Sequence, residues 1–252
     1  MKVGRLAKWT AVAIPAVLAM TALVAYIQAS RFPRFYAPAF LDASQRDRAA
    51  KDFFNRKILA EFGNAAQANE PFDWSINEDE INRYLASIDE IASSAPSVKP
   101  GELTRQMVRA GLADPSVALR NGKLTLMARS SEYHKIISAD LALLLTDGGM
   151  LEVHLGQVRT GRLPLPDSVI RDRVAEVRAS LLAGDSEHEP TDLGGVSSRE
   201  VGPALRNVLA AIDAEPIRPE LTWRLNNKRV RIAAIEIADG TLRLNFVPIP
   251  RH

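Results

Sequence analysis

The sequence predicts an α+β fold: an N-terminal transmembrane helix, then a curved antiparallel sheet of about six or seven strands packed with helices. Three observations carry this. An uncharged apolar run lies near the N-terminus. Several stretches alternate with period two around Asn-Gly and Asp-Gly turns. Between them lie amphipathic stretches with helical spacing. The chain has 252 residues, 46% hydrophobic and 25% charged, with a formal net charge of +2 and no cysteine. This is the composition of a globular domain with an apolar segment added, not of a disordered chain. No Lys/Arg stripe interleaves with aromatics, so nucleic acid is not an expected partner. Without cysteine, disulfides, thiolate metal sites and cysteine nucleophiles are excluded.

Residues 1–30 read as a signal anchor. Trp9 to Ala29 carries no charge and, at about 1.5 Å per residue, spans the hydrocarbon core of about 30 Å. Lys2, Arg5 and Lys8 precede it, and Arg31 and Arg34 follow it. Trp9 and Tyr26 stand near its ends, where amphipathic rings favour the interface. Ile27-Gln28-Ala29 is a poor cleavage site, which favours an uncleaved anchor over a signal peptide. The expected location is therefore the membrane, single-pass, with the C-terminal domain on the extracytoplasmic (periplasmic) side. The bilayer itself is an expected partner. Residues 31–43 form a juxtamembrane linker. Its aromatics and arginines are placed to rest on headgroups, and Pro33 and Pro38 stop the helix.

Residues 44–252 form the soluble domain. Ser44 to Phe62 is helical, with Ala50, Phe53, Phe54, Ile58, Leu59 and Phe62 on one face and Gly63 as its end. Phe72 to Ile76 is a short strand. Asn77 with Glu80 makes a capping box for a helix with Ile81, Leu85, Ile88 and Ile91 on its stripe. Ser93 to Glu102 is a loop, and Leu103 to Leu112 a short helix. Asn121-Gly122 joins two strands as a hairpin. Lys135 to Thr146 is a longer strand with Ile137, Ala139, Leu141, Leu143 and Leu145 on one face. Asp140 falls on the other, with Ser138 and Ala142, and is expected to meet water. Leu151, Val153 and Leu155 alternate on the next strand. Gly156 and Gly161 read as a bend or bulge, and Asp167 caps a helix from Ser168 to about Leu182. Ala183 to Gly195 is an exposed loop, and a helix from Ser197 to about Ala214 follows. Three strands close the chain around Asp239-Gly240. Val230 and Ile232 are out of phase with Ile235 and Ile237, which predicts a bulge near Ala233-Ala234.

Catalytic constellations are missing. There is no nucleophile elbow, phosphate loop, metalloprotease motif or dinucleotide fingerprint. His188 lies between two glutamates in a polar loop, and His154 falls on the polar side of a strand. The three carboxylates of Asn77 to Glu80 are explained by capping and the helix dipole. The protein is therefore not expected to be an enzyme, and no cofactor or metal is implied.

The aliphatic strand faces have two readings. They fill a core, or they leave a groove for an acyl chain. On the second, Leu141, Leu143 and Leu155 line it, and Leu163 and Leu165 stand at its mouth. The expected function is a membrane-anchored extracytoplasmic protein that binds a lipid or other apolar ligand in envelope maintenance. The alternative is a non-catalytic scaffold or assembly subunit that docks on a partner protein of a membrane complex.

Three stretches carry a resemblance: Ile76 to Ser87, the hairpin of Val117 to Arg129, and Gly148 to Ile170 with its paired glycines and Leu-Pro-Leu-Pro ending. In this order they resemble the YpmS-like family of small, single-span bacterial membrane proteins, over roughly Phe72 to Leu182. The resemblance implies an exported domain on a signal anchor, with a helix held in a curved sheet related in shape to tubular lipid-binding domains. It implies no catalytic residues.

Overall fold

The structure, a computed structural model, describes residues 20–21, 23–93, 101–109, 111–171, 216–223 and 228–250. Among these residues it is α+β, with nine strands divided between two antiparallel sheets rather than one sheet of six or seven. The five-stranded sheet is a meander of β2 (Leu112–Arg120), β3 (Lys123–Ser130), β4 (Ile136–Leu145), β5 (Leu151–Thr160) and β6 (Leu163–Pro164). The four-stranded sheet has the order β1-β9-β8-β7, built from β1 (Phe72–Asn77), β7 (Glu220–Trp223), β8 (Lys228–Ala238) and β9 (Thr241–Pro248). β1 pairs with β9 from the other end of the chain. Pattern alone cannot assign such long-range partners, so the alternating segments do not reveal a second sheet.

Both hairpin turns form as their residues predict. Asn121 and Gly122 have φ of 53° and 71°, the left-handed pair that a two-residue turn requires. Gly240 has φ of 80° between β8 and β9. The β8 bulge is also present, as a register shift between Ile232 and Ala234. It has a purpose in packing. Ile232 pairs with Phe246 before it, and Ile235 with Leu244 after it. Phe72 and Trp74 of β1 lie opposite the same two β9 residues. The extra residue thus brings two out-of-phase runs onto one apolar face.

A long helical segment covers this face. α1 (Ala43–Asp52) starts at an Asp42–Gln45 capping box. It runs on as a π-helix over Phe53–Gly63 and then as α2 (Asn64–Ala68). Gly63 does not end the helix, because its backbone stays helical at φ −63°; the chain turns at Asn69, in the left-handed region at φ 60°. The π winding also changes the predicted face. Bonding from i to i+5 brings residues five apart together, so Lys57 is buried while Leu59 is exposed. Ala66, Val230 and Phe246 form the core here, with Phe62, Phe72, Trp74, Ile232 and Leu244 packed around them. The rings of Phe62, Phe72 and Phe246 lie 5.1–5.6 Å apart. Each such pair adds about 1 kcal/mol beyond area burial.

α3 (Glu78–Ala86) begins at Asn77 with both hydrogen bonds of the predicted box, and α4 (Ile88–Ser93) follows after Ser87. The expected stripe of Ile81, Leu85, Ile88 and Ile91 is only half-buried. The buried positions are Glu80, Asn82, Tyr84 and Ser87. Polar side chains go inside because each meets a partner. Asp52 and Arg56 pair through two bonds of 2.8 and 2.9 Å, and Arg56 also reaches Glu80 at 2.6 Å and Glu61 at 2.9 Å. Lys57 meets Glu61 at 2.9 Å and the Ser75 carbonyl at 3.0 Å. The Tyr84 hydroxyl donates to Asp52 at 2.8 Å.

Asn82 has a different task. Its amide oxygen accepts from Val117 N–H at 2.7 Å, and its amide nitrogen donates to Val117 C=O at 3.1 Å. Glu78 accepts from Leu119 N–H at 2.8 Å, and Leu119 C=O accepts from Gly240 N–H at 2.8 Å. Glu78 N–H in turn donates to Gly240 C=O at 2.8 Å. The free edge of β2 is thereby closed by α3 and by the β8–β9 turn, and the two sheets are joined. α5 (Glu102–Arg109) completes the helical side; the expected helix had run on to Leu112, which instead opens β2.

Two outcomes follow for stability. Asn82→Ala leaves both backbone groups of a buried Val117 unpaired, and at about 1–3 kcal/mol for each such group the variant should lose about 2–6 kcal/mol in urea denaturation. Bonds from Arg56 outweigh the burial of Asp52, Tyr84 adds to them, and the carboxyl falls from 3.8 to about 2. A depressed carboxyl stabilises the fold above its unfolded value, and that contribution disappears as pH falls through the folded one. The urea midpoint should therefore drop between pH 3.8 and about 2, with a shallower fall in Asp52→Asn.

Candidate functional site

The five-stranded sheet has two unlike faces. Residues opposite one another across antiparallel strands share a face. Leu124 opposes Leu141, Leu126 opposes Ala139, and Ala128 opposes Ile137. Across the next pair, Leu141 opposes Leu155, Leu143 opposes Val153, and Leu145 opposes Leu151. Leu163 opposes Thr160, which opposes Ile137. Four of the leucines picked from the sequence, Leu141, Leu143, Leu155 and Leu163, therefore lie on one aliphatic face. Leu165 follows directly, with its N–H donating to Val158 C=O at 2.8 Å. From β3 to β5 no aliphatic side chain of this face is fully buried. Leu126 is 45% exposed and Leu155 36%. Only on β2, next to α3, are Val117 and Leu119 enclosed.

The opposite face is the covered one. Asp140 does not meet water: it is 7% exposed, and Ser138 and Ile136 beside it are buried as well. The linker is responsible. It does not simply lie free for headgroups. Tyr36 packs on Ala118, Met127 and Ile136, and its hydroxyl donates to Asp114 C=O at 2.9 Å. Burial first, then the nearby Asp114 carboxylate, pushes the Tyr36 hydroxyl up to about 12. Phe35 lies under the Arg120 guanidinium at 5.4 Å. Asp140 is tolerated there because Arg159 holds it with two bonds of 2.6 and 3.0 Å and Thr125 donates at 3.0 Å. Burial opposes its charge, but these bonds prevail and keep the carboxyl below its ordinary range. An acid in an apolar strand between two small residues, Ser138 and Ala142, was a usable signal for such a buried pair; period-two alternation alone does not say which face is covered.

The stretch from Val153 to Pro166 builds the corner. Gly156 lies where β5 carries an extra residue against β4, with a β-carbon position 3.3 Å from the Asp140 carbonyl oxygen. Gly161, at φ 59°, is buried against the linker. A β-carbon there would fall 2.7 Å from the Arg31 carbonyl oxygen and closer still to that of Ala29. Arg162 N–H donates to Gln28 C=O at 3.0 Å, and Lys135 bonds the Ser30 hydroxyl. Residues 167–171 begin the helix expected after Asp167. Its continuation to Leu182, the loop with His188 and the helix of Ser197 to Ala214 lie outside the described residues. So does most of the expected anchor; among the described residues no helix is long and apolar enough to cross a membrane. Residues 23–30 are helical, with Leu23, Val24, Tyr26 and Ile27 exposed.

Among the cavities on the described surface, two are lined in part by the linker. One, of about 760 Å³, lies between the linker, α3, α4, α5 and the start of β2, with Phe40, Leu85, Ile88 and Met107 in its wall. The other, of about 550 Å³, lies between the linker and the covered face of the five-stranded sheet. Neither is lined by the five leucines. His154 is an exposed strand residue paired with Glu152 at 3.0 Å. No group of three acidic or histidine side chains suited to a metal is present among the described residues. No family model matches the chain, and neither a curated protein nor a solved structure does.

The close approach at Gly161 makes a direct check possible. Gly161→Ala should dislodge the linker from the sheet, and limited proteolysis should then cut between Arg31 and Phe40 several times faster than in the parent chain.

Proposed function

We propose that this chain is a single-pass, membrane-anchored extracytoplasmic protein that binds a lipid or other apolar ligand on the aliphatic face of its five-stranded sheet. The observation that supports the reading is the incomplete covering of that face, from Leu126 on β3 to Leu155 on β5. Leu141 and Leu143 lie between these edges, and Leu163 and Leu165 extend the row towards the β5–β6 corner. An acyl chain gains about 0.8 kcal/mol for each methylene it buries, so a row of leucines along several strands suits it. The uncharged run of Trp9 to Ala29 supports the anchor, and the resemblance to YpmS-like proteins points the same way. The ligand is a substance held, not transformed, in keeping with an envelope-maintenance role.

The exposure of Leu126 and Leu155 also favours a second reading, a scaffold subunit whose aliphatic face docks on a protein of a membrane complex. One set of variants separates the two. The full chain, extracted in mild detergent, should carry phospholipid by mass spectrometry, and Leu141→Asn with Leu155→Asn should lower it at least about tenfold without loss of the fold by circular dichroism. Lipid absent from the parent chain, or equal in both, would sink the lipid reading. Because the chain has no cysteine, Leu155→Cys offers a single cross-linking position, and a specific protein adduct there would support the scaffold.

A further inference from the structure

The 550 Å³ cavity under the linker has an unusual charge balance. Its lining includes Arg34, Arg120, Lys123, Arg159 and Arg162, against the single carboxylate of Asp140. Two of these cations are already committed. Arg120 is held by Glu78, and Arg159 by Asp140. Arg34, Lys123 and Arg162 enter no ion pair among the described residues. They come from three separate places: the linker, the start of β3 and the β5–β6 turn. The tertiary fold alone brings them to one opening, where Asn121, Thr125 and Ser138 add neutral polar groups.

Three cations around one cavity with no ion pair among the described residues repel each other, and an anion with several acceptor oxygens removes that repulsion. Guanidinium forks bind carboxylate and phosphate alike, but three cations from separate elements at one opening match the charge and the several acceptor oxygens of a phosphate. The geometry points to a phosphate-binding site in this cavity, formed by Arg34, Lys123 and Arg162, with Arg120 and Arg159 as fixed neighbours. Asp140 does not spoil it, because Arg159 holds both its oxygens. The volume exceeds that of a phosphate group, which leaves room for what the phosphate is attached to. Phospholipid headgroups and free phosphorylated solutes share this chemistry. The wall formed by Pro33, Arg34 and Phe35 lies a few residues beyond the helix of residues 23–30, so the headgroup arm rests on the membrane-anchored reading proposed above. The site lies on the sheet face opposite Leu141 and Leu155 and does not depend on lipid binding there.

The test uses the full chain in neutral detergent micelles. Inorganic phosphate is titrated calorimetrically, and retention of phosphatidylglycerol against phosphatidylcholine is read by native mass spectrometry. The triple variant Arg34→Gln, Lys123→Gln, Arg162→Gln removes charges that enter no ion pair among the described residues, so its melting curve should stay close to that of the parent. Affinity should fall at least about tenfold, as expected on losing charge-assisted hydrogen bonds, and should also weaken with salt. Arg109→Gln, outside the cavity, should leave it within twofold, and so should Leu141→Asn with Leu155→Asn. Binding of inorganic phosphate that the triple variant loses supports the site for free phosphorylated solutes. Selective retention of phosphatidylglycerol that the triple variant loses supports it for headgroups. No binding of either probe, or binding that the triple variant retains, overturns it.

Discussion

The closed edge of β2 is the constraint on which the rest of the structure depends. A strand edge carries unpaired N–H and C=O groups, and at Val117 and Leu119 these groups are buried. Asn82 answers both groups of Val117, while Glu78 and Gly240 answer those of Leu119. A helix, a meander and a hairpin from the other end of the chain are thereby fixed to one another. Geometry permits this because Asn77 ends β1 and caps α3, so Glu78 and Asn82 stand on successive turns facing the strand. Buried polar groups of this kind are costly when partly satisfied and rigid when fully satisfied.

The ionic cluster beside it extends the same logic. Glu80 serves the capping box through Asn77 and also meets Arg56 and Lys57. The π winding brings Arg56, Lys57 and Glu61 to the side where Glu80 waits. The start of α3 is thus tied both to the strand edge and to the long helix that covers the four-stranded sheet. Hydrophobic burial around Phe62, Phe72 and Phe246 supplies the packing on that side, and the polar contacts determine its alignment.

The linker then decides how the five-stranded sheet is used. It covers the face that holds Asp140 and leaves the aliphatic face only half-covered. Gly161 lets the backbone approach, Tyr36 and Phe35 supply the packing, and Arg159 neutralises the acid beneath them. Gln28 and Ser30, just before the linker, are therefore held at the β5–β6 corner, by bonds to Arg162 and Lys135. The sheet is oriented relative to the N-terminal helix by contact as well as by connection.

What the sequence determined by itself was local. Asn121-Gly122 and Asp239-Gly240 made their turns, Asn77 and Glu80 made their box, and the phase slip in β8 made its bulge, because each depends on a few adjacent residues. That Leu141 and Leu143 share one face of their strand was also legible, since period two places alternate residues together wherever the strand goes. Tertiary structure decided which face of that strand was covered, that β1 joins β9 in a second sheet, that the helix passes through Gly63 in π form, and that Asp140 lies inside. It also gathered Arg34, Lys123 and Arg162 at one cavity. The physical reason is common to all of these. Alternation and spacing tell two faces apart but carry no information about which distant segment will cover one of them, and that is settled by whichever long-range partner can bury the most surface while leaving few buried polar groups unpaired.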